Sequence, residues 1–125
     1  DSDIDGMFSA LEIKSLLELM GCKHIKILKI TKKSHGLNNK FIDQVMDLDA
    51  NLLITVDSTT NNSGAIDKLS LLGVDHIIVD HHEITADINS YADNVIVINS
   101  RDNGNEEFSK VSAGMLCYIV IQVQT

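Results

Sequence analysis

Carboxylate and imidazole side chains are concentrated in a few short segments of the 125-residue sequence. The first segment is DSDIDG at residues 1–6, the second is Asp57 directly after LLITV, and the third is Asp80-His81-His82 directly after HIIV. Oxygen and imidazole ligands without thiolates suit Mn²⁺ or Mg²⁺ better than a closed structural zinc site. These residue types therefore predict metal chemistry, provided that the fold brings the segments together.

The first twelve residues also fit the D-x-D-x-D-G-x5-E pattern of an EF-hand calcium loop. An EF-hand places such a loop between two helices. The chain offers no helix before Asp1 and no second loop of this type, and the rest of the sequence alternates strands with helices. Calcium binding is therefore disfavoured, and Glu12 is predicted to be a solvated charge in the first helix.

Strand and helix patterns alternate along the chain. Short runs of apolar residues predict strands at 24–30, 52–56, 76–79 and 95–98. Apolar residues at helical spacing predict helices at 6–20, from Asn38 or Asn39 to about Ala50, around 66–72 and at 109–122. This order predicts an α/β, Rossmann-like fold, with a mainly parallel sheet, helices on both faces and right-handed crossovers.

Ligand sites in such sheets lie at the carboxyl ends of the strands. Asp57 and Asp80-His81-His82 are predicted to lie there, and a strand before Asp1 would add Asp3 and Asp5. Metal ions would offset the repulsion between these carboxylates, and a pair of ions about 3.5–4 Å apart could hold a phosphoryl substrate. Gly6 is predicted to allow a tight turn that brings backbone N–H groups near the metals or phosphate.

The remaining composition narrows the class of protein. A net charge of −8 argues against a broad basic groove for nucleic acid but is compatible with bound divalent cations that attract phosphate. The apolar runs are too short to span a membrane, which predicts a cytoplasmic protein. Cys22 and Cys117 are interpreted as buried thiols, and His24, His35 and His76 are not expected to bind metal. Because the sequence does not begin with Met, we interpret it as a piece of a longer protein.

The ordered motifs resemble those of the DHH phosphoesterases. DSDIDG resembles the first motif, LLITVD the second, and IIVDHHE contains the triplet that gives the family its name. HGLNNKFIDQV, AIDKLSLLGVDHIIVDHHE and VSAGMLCYIV resemble segments of the RecJ-like single-strand exonuclease branch. The resemblance covers essentially the whole chain, so residues 1–125 are interpreted as an incomplete DHH catalytic domain. The preceding strand, the fourth motif and a second substrate-binding domain are expected to lie outside it.

The resemblance implies a role for each matching residue. Asp3, Asp5, Asp57 and His81 would bind two Mn²⁺ or Mg²⁺ ions, with Asp57 bridging them. His82 would contact phosphate, Asp80 would orient the histidines, and Asp1 and Gly6 would support the site. Asn38 and Ser58 are further candidates for contact with substrate. Asp57, His81 and His82 are the predicted catalytic residues.

The implied activity is metal-dependent hydrolysis of a phosphodiester, with the 5′ end of single-stranded DNA as the favoured substrate. Short oligoribonucleotides or cyclic dinucleotides would suit the same metal centre, and inorganic pyrophosphate or a noncatalytic scaffold role are further alternatives. No protein partner can be deduced. The RecJ-like branch often has an Asp-x-Gly turn where this chain has DSTTNN, and Asn-Pro where it has Asn99-Ser100. Residues 1–125 alone are expected to be weakly active or inactive.

Overall fold

A parallel three-stranded sheet forms the centre of the described structure. The structure is a computed structural model that describes residues 4–28 and 37–101, with side chains from Gly6 onward. The helices are α1 (Ile4–Leu19), α2 (Asn39–Asp47) and α3 (Ser63–Leu71), and the strands are β1 (Leu52–Val56), β2 (Asp75–Asp80) and β3 (Val95–Asn99). A short 3₁₀ helix covers Ile88–Ser90. β2 lies between β1 and β3 and is parallel to both.

Helices cover both faces of this sheet, as the sequence predicts. Adjacent strand residues point to opposite faces, and Ile78 and Val79 accordingly belong to different apolar clusters. Ile78 packs in the larger cluster with buried residues of α2 and α3, including Val45 and Leu69. Val79 packs on the other face, with Ile13 of α1 against it. The α/β, Rossmann-like prediction is therefore confirmed.

The ends of the helices follow local sequence signals. Asn38 begins α2, where its Oδ1 accepts a hydrogen bond from the Phe41 backbone N–H at 2.9 Å. Gly21 and Gly73 follow α1 and α3 with φ of 92° and 83°, a backbone conformation that favours glycine. Lys14 and Glu18, four residues apart on α1, form an ion pair at 3.7 Å. Among the described residues, no helix is both long and apolar enough to cross a bilayer.

Three predictions about local structure were wrong. The described part of the strand predicted at 24–30, residues 24–28, forms no strand. Alternating apolar and lysine residues favour an extended chain, but a strand also needs a ladder partner. The described strand pairs join only β1, β2 and β3, although Leu28 packs against the core. Cys22 is exposed rather than buried. Glu12 is half-buried rather than solvated, while the helix predicted at 109–122 and Cys117 lie outside the described residues.

His76 is a buried histidine within β2. Its side chain is 1% exposed, and its Nε2 lies 2.9 Å from the Thr55 hydroxyl. Its Nδ1 has no hydrogen-bond partner among the described residues. A protonated imidazole would need acceptors for both ring N–H groups. Burial accordingly lowers the pKa of His76 from 6.5 to about 4.

This pKa predicts a loss of stability in mild acid. The unfolded chain binds a proton at His76 near pH 6.5, whereas the folded chain binds it only near pH 4. Between these values the unfolded state holds more protons, so the free energy of unfolding falls as the pH is lowered, by roughly 3 kcal/mol in total. Urea unfolding from pH 7 to pH 4 measures this slope. His76→Gln should remove most of it and His24→Gln, which changes an exposed histidine, should not; equal slopes for wild type and His76→Gln would contradict the prediction.

Candidate metal centre

Two neighbouring strands deliver the acidic residues to one edge of the sheet. Asp80 is the last residue of β2, and Asp57 directly follows β1. The Asp57 backbone N–H donates to the Val79 carbonyl at 2.9 Å, which continues the β1–β2 ladder by one residue. Both carboxylates are 1% exposed. The sheet therefore fixes two buried carboxylates side by side at its carboxyl edge.

The two histidines complete a compact cluster with these carboxylates. Ligand atoms of Asp57, Asp80, His81 and His82 all lie within 4.8 Å of one another. His81 Nε2 is 2.7 Å from Asp57 Oδ1, and His82 Nδ1 is 2.6 Å from Asp80 Oδ1. The side chains of His81 and His82 are 30% and 50% exposed. Buried carboxylates and accessible imidazoles at this spacing form a donor set that fits a divalent cation.

The Asp80 carboxylate accepts hydrogen bonds on both oxygens. Oδ1 accepts from the backbone N–H of His81 at 2.8 Å, from that of His82 at 3.3 Å, and from His82 Nδ1 at 2.6 Å. Oδ2 accepts from the Thr60 hydroxyl at 2.7 Å and from the Thr60 backbone N–H at 3.4 Å. Burial alone would raise the pKa of Asp80, but the bonds from Thr60 and His82 outweigh burial and hold it below its ordinary value. Asp80 is therefore an ionised acceptor that organises the loop after β2.

The turn after β1 has an unusual backbone. Asp57 and Thr59 adopt φ of 60° and 81°. Aspartate tolerates this left-handed region, but a β-branched threonine adopts it only with strain. By the resemblance, Thr59 lies where an Asp-x-Gly turn would place glycine, a residue that adopts positive φ without strain. In this chain the Thr59 hydroxyl lies 2.7 Å from that of Thr55, and the contact helps to hold the turn.

Polar side chains then attach this turn to the loop after β2. Asn61 Oδ1 accepts from the backbone N–H groups of Thr85 and Ala86 at 2.8 and 3.1 Å, and its Nδ2 donates to the Glu83 carbonyl at 2.8 Å. The Tyr91 hydroxyl donates to the Thr60 carbonyl at 2.5 Å. Side chains of DSTTNN and Tyr91 therefore hold this turn against the loop after β2.

Asn99 joins the end of β3 to the same region. Asn99 is the register partner of Asp80, and its Nδ2 donates to Thr60 Oγ1 at 3.2 Å and to the His82 carbonyl at 3.1 Å. Its Oδ1 accepts from the Arg101 backbone N–H at 2.8 Å, and Arg101 Nε donates to the His81 carbonyl at 2.8 Å. Sequence reasoning missed the roles of Thr60 and Asn99. The sequence contained one signal for Asn99. It directly follows the apolar run VIVI, just as Asp80 directly follows HIIV, so both residues lie at the carboxyl edge of the sheet.

The other predicted site residues have different placements. Asp1 and Asp3 lie outside the described residues, and Asp5 is described only as part of the first turn of α1. Gly6 is buried in that same turn, so the tight turn predicted at this glycine is wrong. Helix α1 continues through Glu12, which is also incompatible with an EF-hand loop.

The two candidates for contact with substrate are placed as follows. Asn38 caps α2 and does not belong to the cluster of four ligand residues. Ser58 is half-buried next to Asp57. Neither placement tests whether these residues contact substrate, and both remain predictions.

Comparison with known families agrees with the fold and the cluster. The profile of the DHH family, N-terminal domain, matches residues 1–125. The chain therefore belongs to the DHH family, a family of metal-dependent phosphoesterases. It is similar to the single-stranded-DNA-specific exonucleases RecJ of Escherichia coli (strain K12) and Salmonella typhimurium (strain LT2), with 27% identity to each over 127 residues. These alignments cover 100% of this chain but 22% of each relative. No solved structure gives a significant match.

Proposed function

We propose that this chain carries the metal-binding part of a two-metal phosphodiesterase that removes nucleotides from the 5′ end of single-stranded DNA. The observation that carries the proposal is the convergence of Asp57, Asp80, His81 and His82 within 4.8 Å at adjacent strand ends. Membership of the DHH family supports the reaction class. Similarity to two RecJ exonucleases favours single-stranded DNA among the possible substrates.

Asp57 and His81 are the proposed metal ligands among the residues of the cluster. Their Oδ1 and Nε2 atoms are 2.7 Å apart, so one cation could replace the direct contact and bind both. Asp3 and Asp5 are proposed to supply further oxygen ligands from the first motif. Bound Mn²⁺ or Mg²⁺ would activate water and stabilise negative charge on the phosphoryl oxygens. The buried Asp57 carboxylate provides the charge that attracts the cations to this edge of the sheet.

His82 is the proposed contact to the substrate phosphate. Its Nδ1 is engaged with Asp80 at 2.6 Å, and its side chain is half exposed. The ring nitrogen that remains for substrate is Nε2, which can donate to a phosphoryl oxygen when it carries a proton. Asp80 is proposed as a positioning residue rather than a ligand, because its oxygens already accept five hydrogen bonds from protein groups.

Other substrates of the same reaction class remain as alternatives. Oligoribonucleotides and cyclic dinucleotides contain the same phosphodiester, and the DSTTNN turn departs from the RecJ-like pattern next to Asp57. A noncatalytic scaffold would have no chemical need for both histidines and both buried carboxylates. Inorganic pyrophosphate is the alternative within the enzymes that cleaves a different bond.

Hydrolysis assays on the intact protein with Mn²⁺ test the proposal. We expect mononucleotide release from 5′-phosphorylated single-stranded DNA, at least about tenfold faster than cleavage of a short RNA, cyclic di-AMP or pyrophosphate, since a tenfold preference needs only about 1.4 kcal/mol. Label at the 5′ or the 3′ end of the DNA distinguishes the direction of degradation. His24→Ala, which changes an exposed histidine outside the cluster, is the control and should remain active.

Two results would contradict this function. Preference for RNA, cyclic di-AMP or pyrophosphate would assign the protein to another branch of the family and would leave the proposed metal centre unaffected. No hydrolysis of any of the four substrates, with or without Mn²⁺, would favour the scaffold interpretation.

A further inference from the structure

Thr60 and Asn99 form a continuous hydrogen-bonded path to the histidines of the cluster. Both residues are buried, at 1% and 7% exposure. Thr60 follows β1 and Asn99 ends β3, so the path crosses the carboxyl edge of all three described strands. Thr60 Oγ1 is 2.7 Å from Asp80 Oδ2 and 3.2 Å from Asn99 Nδ2. Asn99 Nδ2 also donates to the His82 carbonyl at 3.1 Å.

The direction of each hydrogen bond along this path is determined by chemistry. The ionised Asp80 carboxylate can only accept, so the single hydroxyl proton of Thr60 is donated to it. The Thr60 oxygen must then accept from Asn99, which fixes the NH₂ group of Asn99 toward Thr60. Two further bonds require the same orientation of the Asn99 amide. Its Oδ1 accepts from the Arg101 backbone N–H, and its Nδ2 donates to the His82 carbonyl.

The same reasoning reaches the imidazole of His82. Asp80 Oδ1 accepts from His82 Nδ1, so Nδ1 carries a proton and Nε2 is the ring nitrogen presented to substrate. Thr60 keeps Asp80 in place from the other carboxylate oxygen, while Asn99 holds the backbone carbonyl of His82 itself. The position of the His82 ring is therefore fixed both by the hydrogen bond at its Nδ1 and by the hydrogen bond at its backbone carbonyl.

We propose that Thr60 and Asn99 are positioning residues that fix the orientation and the tautomer of His82 through Asp80. This inference rests on the proposed function for its kinetic consequence, but the tautomer itself can be measured without activity. It also gives the DSTTNN turn a role. The Thr60 hydroxyl, two residues before the helix cap Asn62, supports the site from within this turn.

Thr60→Val removes the hydroxyl at nearly constant volume, and Thr60→Ser keeps it. We expect Thr60→Val to lower kcat of the intact protein about 10- to 100-fold, somewhat less than the roughly 10²- to 10³-fold cost of removing a donor to developing negative charge, with KM and the Mn²⁺ midpoint changed by less than about threefold. Thr60→Ser should restore kcat to within about threefold of wild type. Ser70→Ala is the control, since it removes a half-buried hydroxyl of α3 that contacts Asn94 rather than Asp80, and it should retain wild-type kcat.

Two further measurements test the path. Asn99→Ala should lower kcat in a similar range. The Thr60→Val/Asn99→Ala double variant should lose less than the product of the two single effects, because both changes break the Thr60–Asn99 bond while Asn99 also holds the His82 carbonyl. Selective ¹⁵N labelling of histidine, with His82 assigned by its loss in His82→Gln, should give the Nδ1-H tautomer in wild type and Thr60→Ser and a mixture in Thr60→Val.

The outcomes separate this inference from the proposed function. An unchanged His82 tautomer in Thr60→Val would overturn the inference, whether or not the wild type is active. A Thr60→Val variant with wild-type kcat, or one that Thr60→Ser fails to restore, would also overturn it. An inactive wild type with the expected tautomer change would refute the exonuclease function and leave the positioning role supported.

Discussion

Replacement of Asp57 by asparagine should abolish metal-dependent hydrolysis while the protein remains folded. We expect kcat/KM to fall by at least about 10³, since loss of the proposed ligand to both ions would remove several kcal/mol of transition-state stabilisation. Asparagine has almost the same shape and tolerates the φ of 60° at this position. The substitution therefore changes charge with little change in backbone geometry.

Metal binding should account for this loss. In the wild type, Mn²⁺ at 100 times its dissociation constant should raise the free energy of unfolding by about 2.7 kcal/mol, and Asp57→Asn should lose most of that gain. Without metal the variant should lie within about 1 kcal/mol of wild type, because the loss of one buried carboxylate from an acidic cluster offsets the weaker contact to His81. Thermal unfolding with and without Mn²⁺ measures both quantities.

Asp43→Asn is the matched control, because Asp43 is an exposed residue of α2 away from the cluster. It should keep wild-type activity and the full Mn²⁺ stabilisation. A wild-type response to Mn²⁺ in Asp57→Asn would show that Asp57 is not a ligand.

Asp80→Asn should differ from Asp57→Asn in its stability, with a large loss even in the absence of metal. Five hydrogen bonds from protein groups converge on the two Asp80 oxygens. An asparagine side chain has one oxygen, so its NH₂ group must face either Thr60 or the donors from His81 and His82. Buried donors would then face the asparagine NH₂ group without an acceptor, and the free energy of unfolding should fall by about 2–4 kcal/mol. Activity should also fall, by about 10²-fold or more, because His82 would lose the orientation in which it is proposed to donate to a phosphoryl oxygen.

The pH dependence of Asp80→Asn provides a second check. The pKa of Asp80 is lowered in the folded state, so its carboxylate stabilises the fold above the ordinary carboxyl pKa, and that contribution is lost as the pH falls through the lowered value. The stability difference between wild type and Asp80→Asn should therefore shrink in strong acid. Asp75→Asn, at the exposed first position of β2, is the control and should be nearly neutral. A loss below about 1 kcal/mol for Asp80→Asn would contradict the account of this carboxylate.

The features that could be predicted from sequence are those encoded by neighbours along the chain. LLITV, HIIV and VIVI are short apolar runs bounded by polar residues, and each forms a strand of the sheet. Parallel strands bring their carboxyl ends to one edge, so the proximity of Asp57 to the Asp80 triplet followed from topology alone. The cap at Asn38 was also local, since it depends on a bond across a single turn.

The features that could not be predicted depend on partners distant in sequence or on backbone conformation. The Asn99 contact with Thr60 joins residues 39 positions apart, and neither residue type is distinctive enough to indicate it. Residues 24–28 had a strand pattern but no strand partner. Gly6 was expected in a turn, but the helix begins before it, at Ile4.

The strained turn at Thr59 has a consequence for how the protein opens. The Thr59 hydroxyl contacts Thr55, and Thr55 contacts the buried His76 in the adjacent strand. The corner that carries Asp57 is thereby linked to the interior of the sheet by side chains as well as by the backbone. Local fluctuations normally begin in loops with few buried contacts, but this loop lacks that freedom. We expect amide hydrogen exchange at Asp57 and His76 to occur in one cooperative opening, so that the centre disassembles only when the sheet does.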